Sequence, residues 1–144
     1  EVVARAHDIA RVSDLPAIVD IDTGFGEAMN AARTIRRLEE MGLAGCHIED
    51  QVNPKRCGHR DNKQLIATED MCRKLRAAAD TKRDGNFLLI AHTDARGPEG
   101  LESATARAKA YADSGAYMSS QRRWKAKPNL RPSTPPSDCH CSPI

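Results

Sequence analysis

Lys55-Arg56-Cys57-Gly58-His59 is the segment of this sequence best equipped for chemistry. A thiol beside two cations, with a histidine two residues on, sits in a positive field that favours thiolate over thiol. Gly58 leaves little bulk beside the sulfur. A structural cysteine more often lies inside an apolar run, whereas both flanks of Cys57 are polar. Upstream, Asp20, Asp22 and Glu49 are hard oxygen ligands of the kind Mg²⁺ takes, directly or through water. Such an ion can polarise a 2-oxo or 2-hydroxy acid and hold the oxygen that becomes a carbonyl. Thr23-Gly24-Phe25-Gly26 follows as a tight turn into a helix, and its backbone N–H groups with the helix N-terminus can bind a carboxylate. Gly-x-Gly alone is equally plain turn chemistry, and no dinucleotide or Walker fingerprint is present. Taken together, these groups suit metal-assisted carbon–carbon cleavage of a hydroxy acid. The metal would stabilise one fragment as a 2-oxo acid, and Cys57 would protonate the other as it leaves as an enolate-like carboxylate.

The elements that must hold these groups alternate between strand and helix. Ala17-Ile18-Val19-Asp20-Ile21-Asp22, Gly45-Cys46-His47-Ile48-Glu49-Asp50 and Phe87-Leu88-Leu89-Ile90-Ala91-His92 are short apolar runs with the character of strands. Apolar positions 28, 31, 35 and 38 predict a helix over Glu27 to Met41, with Gly42 as its C-terminal cap. Thr68 can cap a second helix, with Glu69 and Asp70 in its first turn and apolar positions at 71, 75 and 78. Leu101, Ala104, Ala108 and Tyr111 mark a third, which Gly115 can close. Alternation of this kind predicts a parallel sheet covered by helices.

Side chains repeat every two residues along a strand, so Asp20 with Asp22, His47 with Glu49, and His92 with Asp94 share faces. Strands often end in acids simply because they reach the surface. Three successive strands ending in ionisable pairs instead predict a site at the C-terminal edge of the sheet. The polar segment from Gln51 to Ile66 is long for a connection in such a unit, and long loops at that edge are often lids.

The chain has 144 residues, enough for one modest core. No apolar run approaches the ~20 residues of a membrane span. No signal or transit signature is present, and five cysteines without pairing logic suit a reducing compartment, so a cytoplasmic setting is expected. Glu1-Val2-Val3-Ala4-Arg5-Ala6 opens inside a helical pattern, as in a chain entered midway. From Met118 onward there are five Lys or Arg against one Asp, and five of the eight prolines; the body before it carries 17 basic and 19 acidic residues. We therefore place a boundary there, with residues 1–117 as the folded unit and 118–144 as an unstructured tail. Two thiols as close as those of Cys139-His140-Cys141 rarely make a zinc site alone, and Arg122-Arg123-Trp124-Lys125 has no folded platform for nucleic acid.

Asp20-Ile21-Asp22-Thr23-Gly24-Phe25-Gly26, His47-Ile48-Glu49-Asp50-Gln51 and Lys55-Arg56-Cys57-Gly58-His59, in that order, resemble the isocitrate lyase and phosphoenolpyruvate mutase superfamily. Within it, Lys-Arg-Cys-Gly-His is most similar to the 2-methylisocitrate lyases. The resemblance runs from Glu1 to about Ala116. It implies an α/β fold that is part of a (β/α)8 TIM-type barrel, here about three parallel strands with their helices. It implies Mg²⁺, with Mn²⁺ as a substitute, and cleavage of 2-methylisocitrate to pyruvate and succinate in propionate catabolism. It further implies a small hydroxy- or oxo-acid as substrate, no nucleic-acid or membrane partner, and homo-oligomeric, tetrameric full-length relatives. Carried over by position, Asp20, Asp22 and Glu49 resemble the metal-site acids. Cys57 resembles the catalytic cysteine of a mobile loop, flanked by Arg56, Gly58 and His59, and Gly24 to Gly26 resemble part of a carboxylate-binding turn.

The sequence also departs from the family. His92 stands where an Arg usually clamps a substrate carboxylate bidentately, which His cannot do. The first two barrel strands have no counterpart. After Gly115 the family continues with a strand containing Phe-Pro-Glu, where this chain has Ser119-Ser120-Gln121-Arg122-Arg123-Trp124. Codons for Met118 to Lys125 can be chosen so that a frame one base earlier reads Val-Phe-Pro-Glu-Ala-Leu-Glu, so a frameshifted or mispredicted gene end is expected. A barrel of this type takes about 250 residues, so an incomplete and inactive lyase piece is the first expectation. An oxaloacetate hydrolase or decarboxylase on the same scaffold is the second, and a non-catalytic remnant the third.

Overall fold

Apolar strands and amphipathic helices alternate along the chain as their patterns dictate. A computed structural model describes residues 1–57, 60 and 62–121, the last four as backbone alone. Helix α1 (Val2–Ser13) leads to β1 (Ile18–Asp20), α2 (Ala28–Glu40), β2 (Gly45–Glu49), α3 (Thr68–Thr81), β3 (Leu88–Thr93), α4 (Gly100–Asp113) and β4 (Met118–Gln121). The strands lie side by side in chain order, and every neighbouring pair is parallel. This is the α/β arrangement of one arc of a (β/α)8 barrel.

Alternation along the strands sorts their side chains onto two faces. Cys46, Ile48, Leu89 and Ala91 join Ala31, Ile35 and Leu38 of α2, Met71, Leu75 and Ala78 of α3, and Tyr111 of α4 in one buried cluster. Burial of each large member stabilises the fold by about 1.5–3 kcal/mol relative to exposure. The opposite face carries His47, Glu49, Ile90 and His92. The core therefore fixes the sheet from the helical side and leaves the other face for polar groups.

Two turns that return the chain from helix to strand use the same device. Gly42 has φ +72°, its N–H donates to Glu39 O (2.9 Å), and the Leu43 N–H donates to Leu38 O (3.1 Å). Gly115 has φ +96°, with its N–H on Ala112 O and the Ala116 N–H on Tyr111 O, both 3.1 Å. Each satisfies carbonyls that the helix end would strand, and glycine takes the left-handed conformation without a Cβ clash.

Three details differ from the sequence reading. Thr68 is the first residue of α3 rather than its cap, which is Ala67 without a side-chain hydrogen bond. On α4, Leu101 is 56% exposed and Arg107 is buried in the stripe. Met118–Gln121, placed by the sequence reading in the tail, instead pairs with β3 in the register Ile90–Met118 to Thr93–Gln121. Ladder hydrogen bonds come from the backbone, so a segment without an apolar run can extend a sheet edge. Residues 122–144, including Arg122-Arg123-Trp124-Lys125 and Cys139-His140-Cys141, lie outside the described residues. Among the described residues no helix is long and apolar enough to cross a membrane.

Candidate active site

The turn after β1 is built under strain. Asp22 (φ +52°) and Phe25 (φ +59°) both lie in the left-handed region, with Gly24 and Gly26 also at positive φ. A non-glycine residue there costs of order 1 kcal/mol, and such outliers persist where surrounding contacts impose them. Here the Asp22 N–H donates to Asp20 Oδ1 (2.9 Å), and the Glu49 N–H donates to Asp22 O (2.8 Å). The second bond carries the β1–β2 pairing past the end of β1 and sets Asp22 beside Glu49. Thr23 is buried, and its carbonyl accepts from Lys74 Nζ (3.3 Å). A Cβ on Gly24 would lie 2.9 Å from Ile48 Cδ1 and 3.3 Å from Ala31 Cβ, so packing of the turn on the core requires glycine. The Gly24 N–H already donates to Ile21 O (2.9 Å), so that donor of the expected carboxylate-binding turn is committed inside the fold. Phe25 is partly exposed.

Glu49 ends β2 at 4% exposure, on the face away from the helices. Burial raises its carboxyl pKa, Lys55 opposes that rise, and the charges of Asp94 and Asp20 add to it. The Lys55 ammonium pairs with Asp22 Oδ1 and lies 3.2 Å from Glu49 Oε1. Burial disfavours the ammonium, yet the two carboxylates push its pKa up to about 12. Among the described residues, no three His, Cys, Asp or Glu side chains converge to hold a metal ion. Asp20 Oδ1 accepts from the Asp22 N–H, and a lysine stands between Asp22 and Glu49. The position nevertheless grips one cation between hard oxygen donors, one of them buried. Its chemistry fits a divalent ion in place of the ammonium.

His92 is 2% exposed and faces Glu49 directly in the β2–β3 register. Its Nε2 lies 3.8 Å from Asp94 Oδ1. Burial would raise the Asp94 carboxyl pKa, but His92 and the Lys63 ammonium at 2.5 Å outweigh it and bring the carboxyl down to about 2. Asp50, fully buried, accepts from Thr93 Oγ1 (2.6 Å), Tyr111 OH (2.7 Å) and the Asp94 N–H (3.1 Å). Burial together with the Asp50 charge raises the Tyr111 hydroxyl pKa, so it stays a donor. Arg107 reaches Tyr111 OH (3.1 Å), Ile66 O (3.0 Å) and both carboxylate oxygens of Glu99 (2.8 and 2.7 Å). The ends of β2 and β3 are therefore locked to α4 through one buried carboxylate.

Cys57 is exposed, on the polar excursion that leaves β2 and returns to α3. The two arms of that excursion pair: Gln51 bridges Leu65, the Val52 N–H donates to Gln64 O (2.8 Å), and the Ile66 N–H donates to Asp50 O (3.0 Å). Arg56 is exposed, and its backbone N–H and carbonyl both bond the Gln51 side chain. Gly58 and His59 lie outside the described residues. The fold thus brings Asp20, Asp22, Glu49 and His92 to one sheet edge and carries Cys57 on the loop rooted there. Sequence reasoning missed Lys55 as the partner of the acids, the Asp50 hub, and the Gln51 contacts. A signal for the hub was available in Glu49-Asp50-Gln51, three polar residues continuing a buried strand.

Comparison with known proteins places these features in a family. The phosphoenolpyruvate phosphomutase family profile matches residues 1–130. A probable 2-methylisocitrate lyase of Corynebacterium glutamicum is 59% identical over 118 residues, covering 82% of this chain and 38% of that protein. Oxaloacetate acetylhydrolase bound to 3,3-difluorooxalacetate superposes with a TM-score of 0.82 at 36% identity, over 87% of this chain and 43% of that one. A phosphonopyruvate hydrolase complex with oxalate and Mg²⁺ gives 0.73 at 30%, over 84% and 42%. The chain thus spans about two-fifths of the length of the relatives it matches.

Proposed function

The chain belongs to the phosphoenolpyruvate phosphomutase family, and from that premise we propose that it is the strand-edge portion of a Mg²⁺-dependent lyase cleaving 2-methylisocitrate to pyruvate and succinate. The observation that carries this reading is the cation grip of Asp22 and Glu49, on the loop root that leads to an exposed Cys57. The similarity to a 2-methylisocitrate lyase, at 59% identity, supplies the substrate.

Asp22 and Glu49 hold the metal, with Asp20 beside them; Mn²⁺ can replace Mg²⁺. When bound, the ion supplies charge neutralisation at the oxygen that becomes the carbonyl of pyruvate. The chain's own residues supply the rest. The substrate hydroxyl gives its proton to solvent and its oxygen becomes the pyruvate carbonyl, while the breaking carbon–carbon bond leaves its electron pair on the departing carbon, delocalised into that fragment's carboxylate. Cys57 acts in its thiol form, delivers the proton that makes this fragment succinate and is left as the thiolate. Arg56, the residue before that thiol, supplies positive charge that compensates charge on the departing fragment, and His59 follows two residues on in the sequence. His92, on the sheet face beside Glu49, contacts a substrate carboxylate. Thr23, Gly24, Phe25 and Gly26 shape the turn that presents Asp22.

The test is pyruvate release from 2-methylisocitrate by a full-length protein carrying this chain, with Cys57→Ser alongside. The proposal expects turnover that requires Mg²⁺ and falls at least about a hundredfold in the variant. Turnover unaffected by Cys57→Ser would refute the acid role. One observation favours a second reading: a buried His92 in place of a bidentate clamp, in a chain similar to an oxaloacetate acetylhydrolase. Release of oxalate and acetate from oxaloacetate, without pyruvate from 2-methylisocitrate, would establish that hydrolase instead.

A further inference from the structure

Gln51 has no part in the chemistry above, yet its side chain is almost fully buried and makes three hydrogen bonds. Its Nε2 donates to Arg56 O (3.0 Å) and to Asp94 Oδ2 (2.7 Å), and its Oε1 accepts from the Arg56 N–H (2.9 Å). A primary amide that engages both backbone groups of one residue imitates the pairing of two strands. It fixes the peptide groups on either side of Arg56, and Cys57 is the next residue. Asp94 in turn accepts Lys63 Nζ on its other oxygen, at 2.5 Å. Lys63 belongs to the returning arm. The outgoing arm, through Gln51, and the returning arm, through Lys63, therefore meet on one buried carboxylate at the end of β3.

We infer that Gln51 is a positioning residue for Cys57, anchoring the outgoing arm to Asp94 so that the thiol is presented at a fixed distance from the sheet edge. The inference rests on the acid role proposed for Cys57. Few side chains suit this place. Glutamate would accept from the Arg56 N–H, but it would set a second negative charge against Asp94 and leave the Arg56 carbonyl without its donor. Methionine has similar volume and can make none of the three bonds. A displacement of about 1 Å in a reacting group can cost on the order of a hundredfold in rate, so loss of the anchor should appear in turnover rather than in substrate affinity.

The experiment combines Gln51→Met, Gln51→Glu and the exchange pair Gln51→Glu with Asp94→Asn, each made with Cys57 present and with Cys57→Ser, in a full-length protein carrying this chain. With Cys57 present, Gln51→Met and Gln51→Glu should lower kcat about ten- to hundredfold and leave KM within about twofold. The exchange pair returns one amide and one carboxylate to the contact and should recover part of kcat. With Cys57→Ser, the Gln51 substitutions should cause no further loss, because the group they position is gone. Equal proportional losses in both backgrounds would make Gln51 a purely structural residue and overturn the inference. Full turnover by Cys57→Ser alone would overturn the acid role itself, a separate failure visible before Gln51 is touched. If Gln51→Met does not fold, Gln51→Glu and the exchange pair decide the same question.

Discussion

Replacing Lys55 with methionine keeps most of the stem and removes the ammonium from between Asp22 and Glu49. The two acids raise Lys55 from 10.5 to about 12, which corresponds to roughly 2 kcal/mol at about 1.4 kcal/mol per pKa unit. The side chain is 31% exposed, and screening reduces that to about 1 kcal/mol. Glu49 is left buried without its counter-ion, which adds a further cost of about 1–2 kcal/mol. Lys55→Met should therefore destabilise the fold by about 2–3 kcal/mol in denaturant unfolding at pH 7. The pKa of Lys55 is raised, so its contribution is complete below about pH 10.5 and disappears as pH passes about 12. A divalent ion must displace the ammonium, so the variant should bind Mg²⁺ or Mn²⁺ about fivefold more tightly, the equivalent of 1 kcal/mol. Calorimetric titration of parent and variant measures this directly. Unchanged or weaker metal binding in Lys55→Met would mean that ammonium and metal do not compete, and the reasoning from this ion pair would fail.

Other outcomes can be checked independently. Cys57 should alkylate with iodoacetamide at least about tenfold faster than Cys46 or Cys72, by peptide mass spectrometry; burial, with the charge of Asp20, pushes the Cys46 thiol up to about 12, and Cys72 is buried. Equal rates would remove the distinction. His92→Arg should raise kcat/KM for 2-methylisocitrate about ten- to hundredfold, the equivalent of about 1.5–3 kcal/mol for a charge-assisted contact; a fall would move the oxaloacetate reading ahead. The Asp94 carboxyl is held down to about 2 from an ordinary 3.8, so its contribution is present above about pH 4 and is lost as pH falls toward 2. Asp94→Asn should flatten that acid limb of the stability profile, and an unchanged limb would assign it to other groups.

The architecture was legible because its determinants are local. Three apolar runs, the stripe at Ala31, Ile35 and Leu38, and Gly42 and Gly115 after their helices each state their structure within a few residues. What sequence reading could not see depends on distant partners. Arg107 is buried only because Glu99, Ile66 and Tyr111 satisfy its guanidinium, so apolar periodicity chose Leu101 for that stripe instead. Lys55 read as a cation serving its neighbour Cys57, yet its charge goes to Asp22 and Glu49 across the turn. The acids were found by strand alternation, but their separation was set by the Asp22 backbone, which no side-chain pattern encodes.

The paired arms of the Gln51–Ile66 excursion have an evolutionary consequence. The bonds from Val52 to Gln64 and from Ile66 to Asp50 close the loop at its base, so the entropy of closure is met by residues outside the tip. The base of the loop then stays closed whichever residues lie beyond it. Selection can vary the groups that meet the substrate while the sheet stays as it is. A family whose members act on different small acids could diversify through this one tethered segment, with the barrel strands held constant.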